Sequence, residues 1–128
     1  MRLLLDTCVL LWWWSEPERL SKRALALIRD PENKVFISAA SAWEIATKYR
    51  LQKYPQGGRI IPEWDDRIAL DGFSEIAISA RHALKAGGLP GPHRDPFDRM
   101  IAAQGLIEEI PVASPDQELS ALGAELIW

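Results

Sequence analysis

The chain has 128 residues, 48% of them apolar and 26% charged, with 15 Lys and Arg residues against 18 Asp and Glu residues. This size and apolar content predict one domain over residues 1–128, whose core needs neither disulfides nor a structural metal. One cysteine and two histidines exclude an internal disulfide and a tetrahedral zinc site, and the net charge of −3 argues against a broad basic face that grips nucleic acid.

Short apolar strands alternate with helical segments along the chain. In chain order we predict a strand over 2–5, a buried helix over 9–14, a helix over 22–29 capped by Ser21, a strand over 35–37, a long helix over 42–53, an exposed loop over 54–59, a helix over 62–70, a strand over 75–78, a helix over 79–86, a Gly/Pro loop over 87–92, a helix over 96–107, a strand over 110–113, a helix over 115–122 and a strand over 124–128. This order is typical of an α/β protein with a mainly parallel sheet and helices on its faces.

No apolar run in the sequence is long enough for a membrane span. The first run ends at Asp6, too early for the core of a signal peptide. We therefore expect a cytoplasmic protein that does not contact a membrane.

Three acidic residues share one setting, the junction between a strand and the following helix. Asp6 ends the first strand, Glu44 follows the second, and Asp116 follows the strand over 110–113. Because these junctions lie at one edge of a parallel sheet, we expect the carboxylates to face one cleft. Asp98 follows the Gly/Pro loop, but its helix must pack on the same sheet. Clustered carboxylates repel one another unless a cation lies between them, which favours Mg²⁺ or Mn²⁺.

Most of these acids also have a purely structural explanation. Ser41 and Glu44 have the spacing of a capping box, and Asp95 before a proline is a typical helix cap that leaves Asp98 as a first-turn anion. Asp6 differs, because a carboxylate between an apolar strand and an apolar helix is poorly placed for solvent. The convergence of the acids on one edge therefore favours a metal ion that activates water for phosphodiester hydrolysis. No glycine-rich phosphate loop or nucleophile elbow suggests another chemistry.

The acids lie in four recognisable segments: LLDT at 4–7, ISAASAWEIA at 37–46, HRDPFDRM at 93–100 and the stretch from SPD to LIW at 114–128. Together these segments resemble the PIN-domain family, and more narrowly the VapC-type toxins of bacterial toxin–antitoxin pairs, over almost the whole chain. The resemblance implies a three-layer α/β/α sandwich and a Mg²⁺- or Mn²⁺-dependent endoribonuclease. It also implies a homodimer that is silenced by a cognate VapB-like antitoxin.

The resemblance assigns metal binding and catalysis to four acids: Asp6, Glu44, Asp98 and Asp116. Small residues follow Asp98 four and five positions later, as in the family, so Asp95 has the weaker claim to the metal. Thr7 matches a hydroxyl that often follows the first acid, or it is an ordinary helix-start residue. The chain departs from the subgroup at Cys8, where histidine is common, and at Leu122, which replaces an aromatic residue.

Basic residues near the acids are candidates for contacts with RNA phosphates, and the same residues can equally form a solvated helix face: Lys48, Arg94 and Arg99. We expect Trp43 in the core and His82 on a helix surface, with His93 near the cleft or in a loop turn. The tryptophans at 12–14 fit core packing or a partner surface better than base stacking.

The resemblance and the acids together predict the endoribonuclease toxin of a type II toxin–antitoxin pair, acting on RNA. The alternative is a catalytically weak PIN-fold module that acts mainly by binding an antitoxin and RNA or operator DNA. A small-molecule phosphohydrolase with Asp6 as nucleophile is disfavoured, because Cys8 stands where that chemistry needs a second aspartate.

Overall fold

The computed structural model describes all 128 residues, and every predicted strand and helix is present. The elements are β1 (Arg2–Leu5), α1 (Thr7–Ser15), a 3₁₀ helix (Pro17–Arg19), α2 (Lys22–Arg29), β2 (Lys34–Ser38), α3 (Ala39–Arg50), α4 (Gly57–Ile60), α5 (Trp64–Asp71), β3 (Ser74–Ile76), α6 (Ala80–Gly88), α7 (Pro96–Glu108), β4 (Val112–Ala113), α8 (Gln117–Ala121) and β5 (Leu126–Ile127). The strands form one all-parallel sheet in the order β3-β2-β1-β4-β5. The predicted α/β fold with a parallel sheet is confirmed.

Hydrophobic cores lie on both faces of the sheet, because successive side chains of a strand point to opposite faces. Leu4 of β1 packs into the core that α6, α7 and α8 cover, together with Ile101. Leu3 and Leu5 pack into the opposite core with residues of α1, α2 and α5. The result is the expected three-layer sandwich, with β1 in the centre of the sheet and Leu3, Leu4 and Leu5 fully buried. None of the helices is both long and apolar enough to cross a membrane.

Helices α1 and α3 begin earlier than the sequence pattern predicts. Asp6 caps α1 by accepting the backbone N–H of Thr7 (2.8 Å), and Ser38 caps α3. The predicted capping box of Ser41 and Glu44 is therefore wrong, because both residues lie inside α3. The Ser41 hydroxyl shares a hydrogen bond with the Thr7 hydroxyl instead (2.8 Å). Helix capping does not account for Glu44.

Two segments that were predicted as loops because they contain glycine are partly helical. The predicted loop over 54–59 contains α4, in which Gly57 is buried against Tyr49; a Cβ on Gly57 would lie 2.9 Å from the Tyr49 Cβ. Here glycine permits a close approach rather than a turn. Gly87 and Gly88 complete α6, so the irregular segment after that helix begins only at Leu89. Strand β4 is shorter than predicted, since the residue before it is a proline without an N–H for the ladder.

The consecutive tryptophans of α1 are half-buried and pack against other aromatic residues of the protein. Trp13 and Trp14 both donate their indole N–H to one carboxylate oxygen of Asp71 (3.1 and 2.8 Å), which ties α1 to the end of α5. Trp12 packs against Trp128, with ring centroids 5.9 Å apart. These contacts give the three rings a packing role within the chain.

Candidate active site

Asp6 lies at the carboxyl end of the central strand and is only 4% exposed. Its Oδ2 atom accepts hydrogen bonds from the Ser114 hydroxyl (2.7 Å) and the Cys8 thiol (3.6 Å). Burial raises the pKa of Asp6 above its ordinary value, and the charge of Glu44 raises it further against the opposing hydrogen bonds. This carboxylate is thus buried, near another acid and without a basic partner.

Glu44 projects from the second turn of α3 and is 6% exposed. One of its oxygens, Oε2, accepts a hydrogen bond from the Lys48 ammonium one turn later. The other oxygen, Oε1, is buried and has no hydrogen-bond partner. A buried carboxylate oxygen without a donor is costly, so this atom marks a position where a cation or water would be stabilised.

Asp98 lies in the first turn of α7, behind the N-cap Asp95. Its Oδ2 atom is 3.0 Å from His93 Nε2. Burial, followed by the charges of Asp6, Asp95 and Glu44, raises the pKa of Asp98 to about 7 despite the hydrogen bond to His93. The structure therefore brings Asp6, Glu44 and Asp98 close enough to repel one another. The junction rule predicts this for Asp6 and Glu44, and the expected packing of α7 on the sheet accounts for Asp98.

The other predicted site residues are connected less directly to the three carboxylates. Asp116 caps α8 by accepting the backbone N–H of Glu118 (2.9 Å), and its own backbone N–H is donated to the Ser114 hydroxyl (3.0 Å). Its connection to Asp6 runs through Ser114. Asp95 caps α7, as the sequence predicts. The Thr7 hydroxyl faces Ser41 rather than an acid.

The donor set fits a hard divalent cation in its chemistry. Asp6, Glu44 and Asp98 supply carboxylate oxygens that repel one another, and Glu44 Oε1 is free to bind. As the side chains lie, no three His, Cys, Asp or Glu residues form a set close enough to coordinate a metal. Burial and the charge of Asp6 raise the pKa of the Cys8 thiol, which donates a hydrogen bond to Asp6.

The three candidate RNA contacts differ in how they are held. Arg94 is exposed and forms no ion pair, whereas Lys48 is bonded to Glu44. Arg99 is engaged inside the fold, where its guanidinium donates to three backbone carbonyls, those of Ala86, Leu89 and His93. Arg99 thereby ties the end of α6 and the following loop to the start of α7, on which Asp98 lies.

Replacement of Arg99 by methionine is expected to lower the free energy of unfolding by about 2–4 kcal/mol, because three carbonyls lose a charged donor. Urea denaturation would measure the loss. The matched control is Arg94→Met, which removes an exposed arginine without partners and should change stability by less than about 0.5 kcal/mol. Equal stability of the two variants would contradict the role given to Arg99.

Comparison with known proteins identifies the family. The family model of the PIN domain matches residues 3–125. The chain belongs to the PIN domain family. The resemblance seen in the sequence is thus confirmed.

One curated protein and several solved structures are similar to this PIN domain. It is 37% identical over 67 residues to Ribonuclease VapC16 of Mycobacterium tuberculosis, a match that covers 51% of this chain and 48% of that protein. The chain therefore spans about half the length of this curated relative. The solved structure of VapBC2 from Rickettsia felis, bound to a DNA fragment from its promoter, matches with a TM-score of 0.71 at 16% identity, covering 99% of this chain and 98% of the other. The solved structure of FitAcB from Neisseria gonorrhoeae matches with a TM-score of 0.66 at 21% identity, covering 98% of this chain and 96% of the other. At these identities the two structures show a shared fold.

Three side chains of this PIN domain lie in positions that the sequence did not predict. Ser114 was not expected, although it directly follows β4 just as Asp6 follows β1, and that shared setting was the available signal. The expected surface position of His82 is wrong, because this ring is 5% exposed and completes a capping box with Ser79. The expected core position of Trp43 is also wrong, since the indole is 53% exposed.

Proposed function

We propose that this PIN domain is the endoribonuclease toxin of a type II toxin–antitoxin pair, hydrolysing RNA phosphodiester bonds with Mg²⁺ or Mn²⁺. One observation carries the proposal: Asp6, Glu44 and Asp98 are gathered at one edge of the sheet, and one of their buried oxygens has no partner. The similarity to a protein named as a ribonuclease supports the same reaction.

In this proposal Asp6, Glu44 and Asp98 would hold the ion, with Asp116, the N-cap of α8, as the fourth acid. When bound, a divalent ion polarises the phosphate and lowers the pKa of an attacking water. The Lys48 ammonium holds Glu44 in place and presents a positive charge beside the acids, where a phosphate would enter. The Ser114 hydroxyl donates to Asp6 Oδ2 and so fixes the direction of that carboxylate.

The test is a cleavage assay with the purified protein and cellular RNA, in buffers that contain Mg²⁺, Mn²⁺ or EDTA. We expect discrete RNA fragments with either ion and none with EDTA, and sequencing of the cut ends would define the substrate. A pure, folded protein that binds RNA but yields no fragments with either ion would contradict a nuclease.

The second candidate function is a binding module that acts with an antitoxin on RNA or operator DNA. It is favoured by the absence of any three side chains that already form a coordination set. A solved relative bound to promoter DNA is consistent with it. Cleavage in the assay above would decide against this alternative.

An antitoxin partner is part of the proposal in both cases. The similar solved structures include a toxin–antitoxin complex from Klebsiella pneumoniae, with a TM-score of 0.63 at 21% identity. We expect a small reading frame beside this gene to encode a VapB-like protein that copurifies with the chain and suppresses its activity. Light scattering of the isolated chain would test the expected homodimer. Copurification of no such protein would contradict the pairing.

A further inference from the structure

Trp43 is a large aromatic residue that the fold leaves open to solvent. Its side chain is 53% exposed, although the residue lies in the first half of a well-packed helix. The indole is held by Phe97, with ring centroids 4.6 Å apart and planes 76° from each other. Phe97 itself is almost fully buried. The Trp43 ring is therefore fixed by an edge contact and keeps aromatic surface free.

The position of this ring relative to the acids follows from the helices. Trp43 directly precedes Glu44 on α3, and Phe97 directly precedes Asp98 on α7. The approach of α3 to α7 that brings the two acids together also brings the two rings together, one residue earlier on each helix. The exposed indole is thus a neighbour of the candidate active site.

A free basic residue follows Trp43 along the exposed face of α3. Arg50 lies seven residues later, on the same face of α3 and about 10 Å along its axis. It is exposed and forms no ion pair, and the intervening residues of that face are the exposed Ala46 and the half-buried Thr47. An aromatic ring accompanied by a free arginine is a combination that binds single-stranded nucleic acid.

We propose that Trp43 is a stacking platform for an unpaired base of the RNA, next to the phosphate that is cleaved. This inference rests on the proposed function and adds to it a residue that selects unpaired substrate. A duplex keeps its bases stacked on one another, so only a single strand or a loop offers a free base face to the indole. Trp43 acts here as a positioning residue, because it would hold the strand while the acids serve the phosphate.

Binding of a short fluorescent single-stranded RNA tests the proposal, measured by anisotropy with Mg²⁺ in an Asp98→Asn background that prevents cleavage. Trp43→Leu is expected to weaken binding about 10-fold or more, and Trp43→Phe, which keeps a ring, less than about 3-fold. The matched control is Leu84→Ala, which removes an exposed leucine of α6 and should not change the affinity. A duplex of the same sequence should bind all four proteins equally weakly.

A second measurement isolates the stacked base. In a series of RNAs that each lack one base, the RNA without the stacked base should lose affinity for the Trp43 protein. The same RNA should lose none for the Trp43→Leu protein, because the partner of that base is already gone. Additive losses at every position would overturn the stacking contact.

Three further outcomes would each overturn the role of Trp43 in RNA binding. Equal binding of single strands by Trp43→Leu and its parent overturns the inference and leaves the nuclease proposal standing. No RNA binding by the Asp98→Asn parent, together with no cleavage by the unmodified protein, overturns the proposed function and the inference with it. A smaller mass of Trp43→Leu in light scattering would assign Trp43 to an interface between copies of the chain and overturn its role in RNA binding.

Discussion

Asp98→Asn is expected to reduce RNA cleavage at least about 100-fold while the protein stays folded. The change removes one negative charge from the group that is proposed to hold the cation, and asparagine keeps the shape and can still accept a hydrogen bond from His93. Folding should not suffer, because the Asp98 carboxylate is buried among like charges that it repels. The rate of cleavage of a mapped RNA site, with circular dichroism as a check of folding, would measure the effect.

The matched control is Asp95→Asn, three residues earlier on the same helix. Asp95 caps α7 through hydrogen bonds from the backbone N–H groups of Phe97 and Asp98, and asparagine is an equally good cap. We expect this variant to retain cleavage within about 5-fold of the parent, because it changes the nearby charge but keeps the helix start. Full activity of Asp98→Asn, or an equal loss in both variants, would contradict the assignment of the third acid.

The second large effect is expected in the stability of the metal-free protein. The pKa of Asp98 is raised from 3.8 to about 7, so the folded chain binds a proton more tightly than the unfolded chain does. The stabilisation is complete below about pH 4 and is lost as the pH rises through about 7. Asp6, whose pKa is raised by burial, and His93, whose pKa is raised by its bond to Asp98, change stability in the same direction. In EDTA, the free energy of unfolding should therefore fall by about 2–4 kcal/mol between about pH 5 and about pH 8.

Urea denaturation at constant ionic strength would measure this dependence. The fall should be smaller in Asp98→Asn, in which one of the repelling carboxylates is gone. Addition of Mg²⁺ at about pH 8 should recover stability in the parent and recover less in the variant, because a ligand that binds only the folded state stabilises it. A parent protein that becomes more stable from about pH 5 to about pH 8 in EDTA would refute this account of the acids.

Much of the fold could be predicted because its signals are local. Apolar strands separated by helical stripes indicate a parallel sheet, and the rule that strand-to-helix junctions share one edge placed Asp6 near Glu44. The first residues of the helices were harder to predict from the sequence. Ser38 and Ser41 are both good caps with small residues between them, so local preference cannot choose; the buried hydrogen bond from Ser41 to α1 exists only in the folded protein.

The parts of the site that the sequence did not predict depend on contacts between distant elements. The exposure of Trp43 follows from how α3 and α7 approach each other, which periodicity within α3 does not report. The unpartnered oxygen of Glu44 is likewise visible only once Lys48 has taken the other oxygen. The sequence around Arg99 predicts an exposed side chain. In the structure its guanidinium donates hydrogen bonds to backbone carbonyls of α6 and of the loop that follows.

The hydrogen bond from Ser114 to Asp6 joins residues 108 positions apart in the chain. The acids are also distributed over β1, α3 and α7, so the site is assembled only after long-range contacts have formed. A chain that is still being synthesised lacks α7 and β4 until most of its length has been made. The growing chain therefore lacks the complete candidate site until both α7 and β4 have been made, so the site is one of the last parts of this domain to form.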